Sequence, residues 1–320
     1  MSITISGGVP GWFVDQFKGD VYHTCQQKES LIAGAVQHEP VVGAEDVAFD
    51  MIGQSTMEEK VGRNPETPRN DPNSARRWVS TTPYHNAYQF DRDDDLQMKL
   101  DPAGAVMKEL VFARNRKVDD IILAAFDGTV NSGRRNNTST ITWAANGGST
   151  KYTSTSGGRV IAHDTAEGNA SASDTGLTVE KIELVKEYFM NNEVDYNQPI
   201  YGLISPRQAT NLFGQEEYVN MDYNSQKPMT TMMYLRQWAG INWIVSTKVV
   251  KGSSNDVDGN VDVYKCWFWT PDAIILGVAD SITVEMSIRD DLSYAQQVYV
   301  HMNMGAMRHD EDKVCVVECQ

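Results

Sequence analysis

The chain has little cysteine, with four residues in 320, and we interpret the pair Cys315 and Cys319 as buried free thiols. Cys315 and Cys319 stand four positions apart in an alternating run near the C-terminal end. No further cysteine or Cys/His pair lies near them in the sequence, as a zinc site would require. The six histidines are scattered and form no H-x3-H or HExxH pattern. We therefore expect no metal, no cofactor and no disulfide framework.

Basic residues are also few, with 28 Lys and Arg against 43 Asp and Glu and a formal net charge of −15. Phosphate backbones repel such a surface, which argues against sequence-independent nucleic-acid binding by the whole chain. No apolar run approaches roughly 18 residues, so the sequence predicts no membrane span. The first residues carry neither a basic region nor a long apolar core, and we expect no secretion signal.

Catalytic signatures are missing as well, because the chain contains no GxSxG elbow, no P-loop and no GxGxxG fingerprint. Two acidic clusters keep an enzyme alternative open, at residues 91–95 and 256–262. The second has calcium-loop-like spacing but lacks the late glutamate and the flanking helices of an EF-hand, so we interpret it as a hairpin turn. The alternative function is a cytoplasmic, hydrolase-like α/β enzyme with an unrecognised carboxylate site. A further alternative is a binding module that uses the Ser/Thr/Asn-rich loops of residues 128–176.

The strongest positive signal is a long alternation of apolar and polar residues near the C-terminal end. Even-numbered positions are apolar from Ile282 to Ile288, and, apart from Gln296, again from Leu292 to Met304. A period of two predicts strands with one buried face, and the charged pair Asp290-Asp291 predicts a turn between them. The second strand would span about 43 Å, well beyond the usual 5–6 residues. We predict a hairpin over about 282–305 whose even-numbered face is core.

A helix of similar length is predicted just before the middle of the chain. Asp101 suits the N-cap and Pro102 the first helical position. Apolar residues then recur three and four positions apart to about Phe126, and Gly128 suits the C-cap. About 25 residues give roughly 38 Å, so the helix over 101–127 matches the hairpin and would lie along it.

The N-terminal third is predicted to reach outward. Residues 1–45 contain aromatic anchors without a sustained period and predict an extended arm, with a short helix near 13–18. Residues 46–99 predict a projecting hairpin, with strand-like runs at 47–51 and 84–90 and a Pro- and Arg-rich tip between them. The tip is too polar to form its own core, so we expect it to lie against another subunit. The candidate intersubunit contacts are charged residues of this region: Arg63, Arg69, Arg76, Arg77, Asp91, Asp93, Asp94 and Asp95.

Residues 177–280 predict a compact α/β region. Thr178 is expected to cap a helix that ends near Met190, and Ser205-Pro206 to begin another that ends near Phe213. Strands are predicted at 200–204, 241–249 and 261–269, with a last strand at 314–317.

In this order the parts resemble the major capsid proteins of tailed bacteriophages. The resemblance is carried by the long helix after Asp101-Pro102, by Tyr201-Gly-Leu-Ile-Ser-Pro-Arg207, and by the closing segment from Trp269 to Arg308. It implies an α+β chain with the HK-97-type major capsid fold. The implied parts are an N-terminal arm (1–45), an E-loop hairpin (46–99), a P domain (100–176 and 281–312) and an A domain (177–280 and 313–320).

The resemblance implies a structural rather than enzymatic role, as the subunit of an icosahedral head shell that encloses the phage's double-stranded DNA without sequence-specific binding. The partners would be many copies of the chain itself, in hexamers and pentamers, together with a portal. Because the chain begins almost at once with the arm, we expect a separate scaffolding protein, and whether a decoration protein binds is left open. Assembly would take place in the host cytoplasm and the product would be the virion shell.

Overall fold

The computed structural model describes residues 25–64, 66–90, 103–134, 137–148, 150–153, 156–165, 175–195, 197–215, 237–252, 256–257 and 261–320. Within these ranges, sixteen strands form four sheets, and three α-helices pack against them. The arm helix predicted near 13–18 lies outside the described residues. So do four of the predicted contact residues, Asp91, Asp93, Asp94 and Asp95.

The longest helix, α1 (Ala103–Asp127), is the predicted one and has 25 residues. Leu110, Val118, Ile122 and Phe126 are all buried, because residues three or four positions apart share one face of a helix. The helix stops before Gly128, where a Cβ atom would lie 2.4 Å from the carbonyl oxygen of Ala124. A residue with a side chain would therefore clash at this helix end.

The long hairpin is present as β14 (Ile274–Arg289) and β15 (Ala295–Arg308), which pair antiparallel. β14 begins earlier than predicted and carries register shifts between Val278 and Thr283. The prediction that the second strand resumes at Leu292 is wrong, because the turn occupies residues 290–294. Two residues with positive φ, Ser293 at 52° and Tyr294 at 58°, close this turn.

Two further strands complete the sheet of the long hairpin in the order β1-β14-β15-β4. β4 (Thr82–Phe90) pairs antiparallel along β15. β1 (Gln37–Pro40) pairs parallel with β14, but only over residues 275–278. Among the described residues, β14 from about 280 to 289 therefore has a strand on one side only.

Helix α1 covers only part of this sheet. From Val298 to Met304 the even-numbered residues of β15 are buried as predicted, with Val298 at 0% and Met304 at 2% exposure. The prediction fails for β14, where Val284 is 38% and Ile288 is 66% exposed. A helix is about 10 Å across and strands lie about 4.8 Å apart, so one helix covers about two strands. Because α1 packs mainly on β15, the distal half of β14 is left bare.

A second sheet has six strands, in the order β11-β12-β10-β13-β16-β9. Its strands are β9 (Val160–Ile161), β10 (Ile200–Ile204), β11 (Gln237–Trp238), β12 (Ile241–Val245), β13 (Tyr264–Trp269) and β16 (Val314–Cys319). Helices α2 (Val179–Asn191) and α3 (Pro206–Phe213) pack on it, and the predicted caps Thr178 and Ser205 accept hydrogen bonds from the backbone N–H of Lys181 and Gln208. Cys315 and Cys319 are buried free thiols as predicted, Cys266 is also buried, and Cys25 is exposed.

The third sheet corrects the predicted projecting hairpin. β2 (Asp46–Ile52) pairs with β3 (Ser74–Ser80), and β5 (Val130–Arg134) and β6 (Asn137–Ile141) extend the sheet. The run at 84–90, predicted as the hairpin partner, is instead β4 in the sheet of β15. Arg76 and Arg77 made β3 resemble a polar tip in the sequence, yet both find acidic partners in the fold. A small hairpin of β7 (Tyr152–Thr153) and β8 (Ser156–Gly157) forms the fourth sheet, and its Tyr152 packs against Tyr188 of α2.

Candidate assembly surfaces

The hairpin β2–β3 ends in a long tip without a core of its own. Every described residue from 52 to 76 is exposed. Its apolar side chains are among the most exposed of the protein, with Ile52 at 78%, Met57 at 100% and Val61 at 77%. Exposed apolar residues grouped on one projecting element are typical of an interaction surface.

Three of the predicted arginines lie on this exposed hairpin. Arg63 and Arg69 are on the tip, and the Nε of Arg69 lies 3.2 Å from the Asp71 carboxylate. Arg76 lies on β3 directly opposite Asp50 and donates to its carboxylate at 2.7 Å. The hydrogen bond from Arg76 lowers the pKa of the Asp50 carboxyl. Arg76 is thus engaged within its own hairpin.

Arg77 lies elsewhere, in the interior. It is 6% exposed, and its guanidinium binds the carboxylate of Glu311 and the carbonyl oxygen of Arg308. Successive residues of a strand point to opposite faces, which separates Arg77 from its neighbour Arg76. This burial removes Arg77 from the set of candidate intersubunit contacts.

Glu311 joins Arg77 to a second buried guanidinium, that of Arg308. Arg308 is fully buried and donates from Nη1 to the carbonyl oxygens of Ala125, Phe126 and Gly128 at 3.0, 2.6 and 3.2 Å. It therefore satisfies carbonyls that the end of α1 would otherwise leave unpaired. Burial acts to raise the pKa of Glu311, but the two guanidiniums outweigh it and hold that pKa below its ordinary value. Together the three charges fasten the hairpin base, the end of α1 and the end of β15.

The second surface is the bare part of β14, which we call the β14 strip and define as Ile282, Val284, Met286 and Ile288. These side chains are 36%, 38%, 56% and 66% exposed. Val284 lies opposite Val300 and Met286 opposite Val298, so the strip continues the face that α1 covers on β15. Leu292 and Tyr294 in the adjacent turn are also exposed. A long apolar edge strand of this kind favours pairing with another chain.

Of the acidic groups behind the enzyme alternative, Asp256 is buried and Asp262 is exposed, and the others lie outside the described residues. Asp256 is 7% exposed and accepts a hydrogen bond from the N–H of Val261 at 2.8 Å. The nearby Glu318 is 1% exposed. In the described part of the chain, no three His, Cys, Asp or Glu residues are grouped so that they could hold a metal ion. None of the helices described is long and apolar enough to cross a membrane.

Sequence reasoning missed the most informative residues of both surfaces. Met57 and Val61 are isolated apolar residues in a polar tip. An apolar residue in a segment that cannot form a core was the only sequence feature that could have indicated their role in an interaction surface. Glu311 and Arg308 follow an apolar strand and gave no sign of their burial. The exposure of the β14 strip depends on where α1 lies, which its alternating pattern does not encode.

The fold is that of known phage capsids. The cyanophage P-SCSP1u capsid superimposes with a TM-score of 0.70 at 14% identity, covering 97% of this chain and 93% of that one. The capsid of cyanophage Pam1 gives 0.70 at 11% identity, covering 99% of both chains. For the capsid of Ralstonia phage GP4 the values are 0.68 and 12%, with 100% of this chain and 98% of that one covered. At these identities the similarity shows the fold, which is α+β of the HK-97 type as predicted.

The sequence itself identifies the family. No curated protein matches the chain. The family described as phage capsid protein, however, matches residues 9–320. These findings give no support to the hydrolase alternative, and they imply a structural rather than enzymatic role. The chain belongs to the phage capsid protein family, as a major capsid protein that forms the head shell of the virion.

Proposed function

We propose that neighbouring subunits of the shell are joined by docking the hairpin tip of one copy onto the β14 strip of the next. The observation that carries this proposal is that the two surfaces hold half of the large apolar side chains left exposed by the described residues, grouped in two patches. Within the shell lattice the neighbours of a subunit are other copies, so each of these two apolar surfaces can be covered by another copy of the chain. Tip and strip are different patches, which makes the contact heterologous and able to close into rings.

Several modest interactions would contribute to the free energy of this contact. Fully burying a side chain such as Met, Ile or Val contributes about 1.5–3 kcal/mol. The tip offers Ile52, Met57 and Val61, and the strip offers four side chains of similar kind. The open edge of β14 adds backbone groups that an extended segment can pair with. Ordering a long tip offsets part of this gain, so the contact is stable mainly when many subunits form it together.

Charged residues would set the direction of docking. Arg63 and Arg69 lie on the exposed tip. We propose that they approach the acidic run of a neighbour, Asp91, Asp93, Asp94 and Asp95. Arg77 is not included because it is buried against Glu311, and Arg76 is not included because two of its nitrogens already bind Asp50. Arg69 contacts Asp71 of its own chain, but its side chain is 87% exposed. Exposed pairs contribute about 0–1 kcal/mol each, so their role would be orientation and association rate rather than affinity.

Other parts of the proposal rest on the family resemblance. These are the division into arm, E-loop, P domain and A domain, the hexamers and pentamers, the separate scaffolding protein and the portal. Assembly in the host cytoplasm and enclosure of double-stranded DNA belong with them. A net charge of −15 supports the last, because an acidic container does not trap the packaged polymer. A decoration protein stays an open partner.

The docking is tested by Met57→Asp on the tip and Met286→Asp on the strip. Met190→Asp is the matched control, because Met190 is 53% exposed on α2 and belongs to neither surface. We expect both test variants to lose shells in electron micrographs and sedimentation profiles while their thermal unfolding stays that of the wild type. The control should assemble normally.

A direct readout uses Met57→Cys combined with Met286→Cys in a Cys25→Ser background, which removes the exposed native thiol. Oxidation with diamide should give covalent ladders only when both new thiols are present. Shells that form normally from the two aspartate variants, or ladders of equal yield from the single cysteine variants, would refute the docking.

A further inference from the structure

Helix α1 and the strands beneath it enclose a groove of about 250 Å³ that the docking proposal does not use. It lies between α1, β4 and β15, away from the hairpin tip, and it adjoins the β14 strip where Val300 lies opposite Val284. Its floor is apolar, formed by Leu110 and Ala113 of α1 and by Val300 and Met302 of β15. Cavities for drug-sized ligands measure about 300–1,000 Å³, so this one fits about one bulky side chain.

The rim of the groove carries two cations, Arg114 and Lys117. The Nζ of Lys117 lies 4.6 Å from the ring centre of Tyr84, a cation–π contact. Arg114 donates to the carbonyl oxygen of Ser281 at 2.8 Å and to the amide of Asn115 at 2.9 Å. Each of these contacts within the described residues is with a neutral group.

Neutral partners are unexpected for cations in this chain, which has 43 acidic and 28 basic residues. Two other cations around α1 are paired with carboxylates. Arg116 binds Glu109 at 2.9 Å, and Lys248 binds Asp120 at 2.5 Å. Burial lowers the pKa of Arg114, so its charge is partly removed from water, and no carboxylate of the described residues binds it. An anion supplied from outside would complete the arrangement.

We propose that this groove binds an acidic peptide segment of a partner polypeptide. One bulky apolar side chain of the segment lies on the floor, and an adjacent carboxylate lies between Arg114 and Lys117. An anchor side chain in a pocket with a charged rim is the usual form of a binding hot spot. Nucleic acid fits less well, because a phosphodiester has no group for the apolar floor and two cations neutralise too few phosphates for useful affinity.

The test uses the full chain as unassembled subunits and a fluorescein-labelled 12-residue peptide of glutamates with one central leucine. Binding is measured by fluorescence anisotropy. Lys117→Gln should weaken binding at least tenfold, and Ala113→Trp, which fills the groove, should abolish it. Lys108→Gln is the matched control, since Lys108 is exposed on the same helix but does not line the groove. Its affinity should equal that of the wild type.

Two further probes test whether the leucine contributes to binding and whether nucleic acid competes for the groove. A peptide with serine in place of the leucine should bind at least tenfold more weakly, and a duplex DNA of 20 base pairs should not displace the labelled peptide. The proposal is overturned if no peptide binds, if Lys108→Gln weakens binding as much as Lys117→Gln does, or if the leucine has no effect. Competition by DNA at equal concentration would assign the groove to nucleic acid instead. Because Lys117 is exposed, its variant keeps the test valid even if Ala113→Trp does not fold.

Discussion

At the scale of single residues, Glu318 is a buried carboxyl group whose pKa lies well above its ordinary value. It is 1% exposed, and its Oε2 has no hydrogen-bond partner within the described residues. Burial raises its pKa from 4.5 to about 7, and the charge of Asp256 adds to this while the N–H of Val257 opposes it. The other charged groups that act on this carboxylate are Lys265, which lies opposite on β13, and Lys151.

A pH dependence of stability follows from Glu318. The folded state holds its proton more tightly than the unfolded chain, so its contribution is fully present below about pH 4.5 and is lost as pH rises to about 7. We expect Glu318→Gln to remove this loss and to raise the free energy of unfolding at pH 8 by roughly 1–3 kcal/mol. Urea unfolding at pH 5 and pH 8 measures it, with the exposed Glu183→Gln as control. An equal pH response in wild type and Glu318→Gln would contradict the assignment.

Residue identity alone does not reveal such groups. Thr178 and Ser205 were predicted as helix caps because a cap depends on local sequence. The partners of Arg77 are residues 308 and 311, more than 200 positions away. No local pattern encodes that approach, and the same holds for Glu318.

At the scale of elements, the corner between β3 and β4 passes very close to β15. A Cβ atom on Gly305 would lie 1.9 Å from the carbonyl oxygen of Ser80, which is a backbone atom that cannot turn aside. We expect Gly305→Ala to destabilise the fold by about 1–3 kcal/mol, because the strand crossing must move apart. Chemical denaturation measures the loss. Gly34→Ala is the control, since a Cβ atom on Gly34 would meet nothing within 4 Å, and an equal effect of both substitutions would argue against the close crossing.

Elements with a strong period were predictable, and their pairing was not. Helix α1 and the β14–β15 hairpin were found from spacing alone, because 3.6- and 2-residue periods reflect burial directly. Assigning residues 84–90 as the partner of β2 failed, since several strands of similar composition compete and register depends on the tertiary fold. The prediction that the β14 strip is part of the core also failed because burial depends on the tertiary fold. Its alternating pattern matches a buried face, but no described helix covers it.

At the scale of the whole molecule, like charges oppose assembly. Each subunit carries a formal charge of −15, so subunits repel one another at low ionic strength. Screening shortens the range of this repulsion from about 30 Å at 0.01 M salt to about 10 Å at 0.1 M. We expect the initial rate of shell formation, followed by light scattering, to rise several-fold between these concentrations. A rate that falls with salt would mean that the proposed pairs of Arg63 and Arg69 with a neighbour's acidic run dominate over net repulsion.

The buried charges at the hairpin base have a mechanical consequence. Arg77 holds the base of the hairpin, and through Glu311 it is joined to Arg308, which grips the last turn of α1. A pull on the tip by one neighbour therefore reaches the helix end and the end of β15 together, instead of peeling one strand from its sheet. The β2–β3 hairpin can therefore bend along its exposed tip, while the buried charges hold its base rigid. Under internal pressure, a lattice of such subunits would deform at the hairpin tips that join them, while the sheets and helices of each subunit keep their shape.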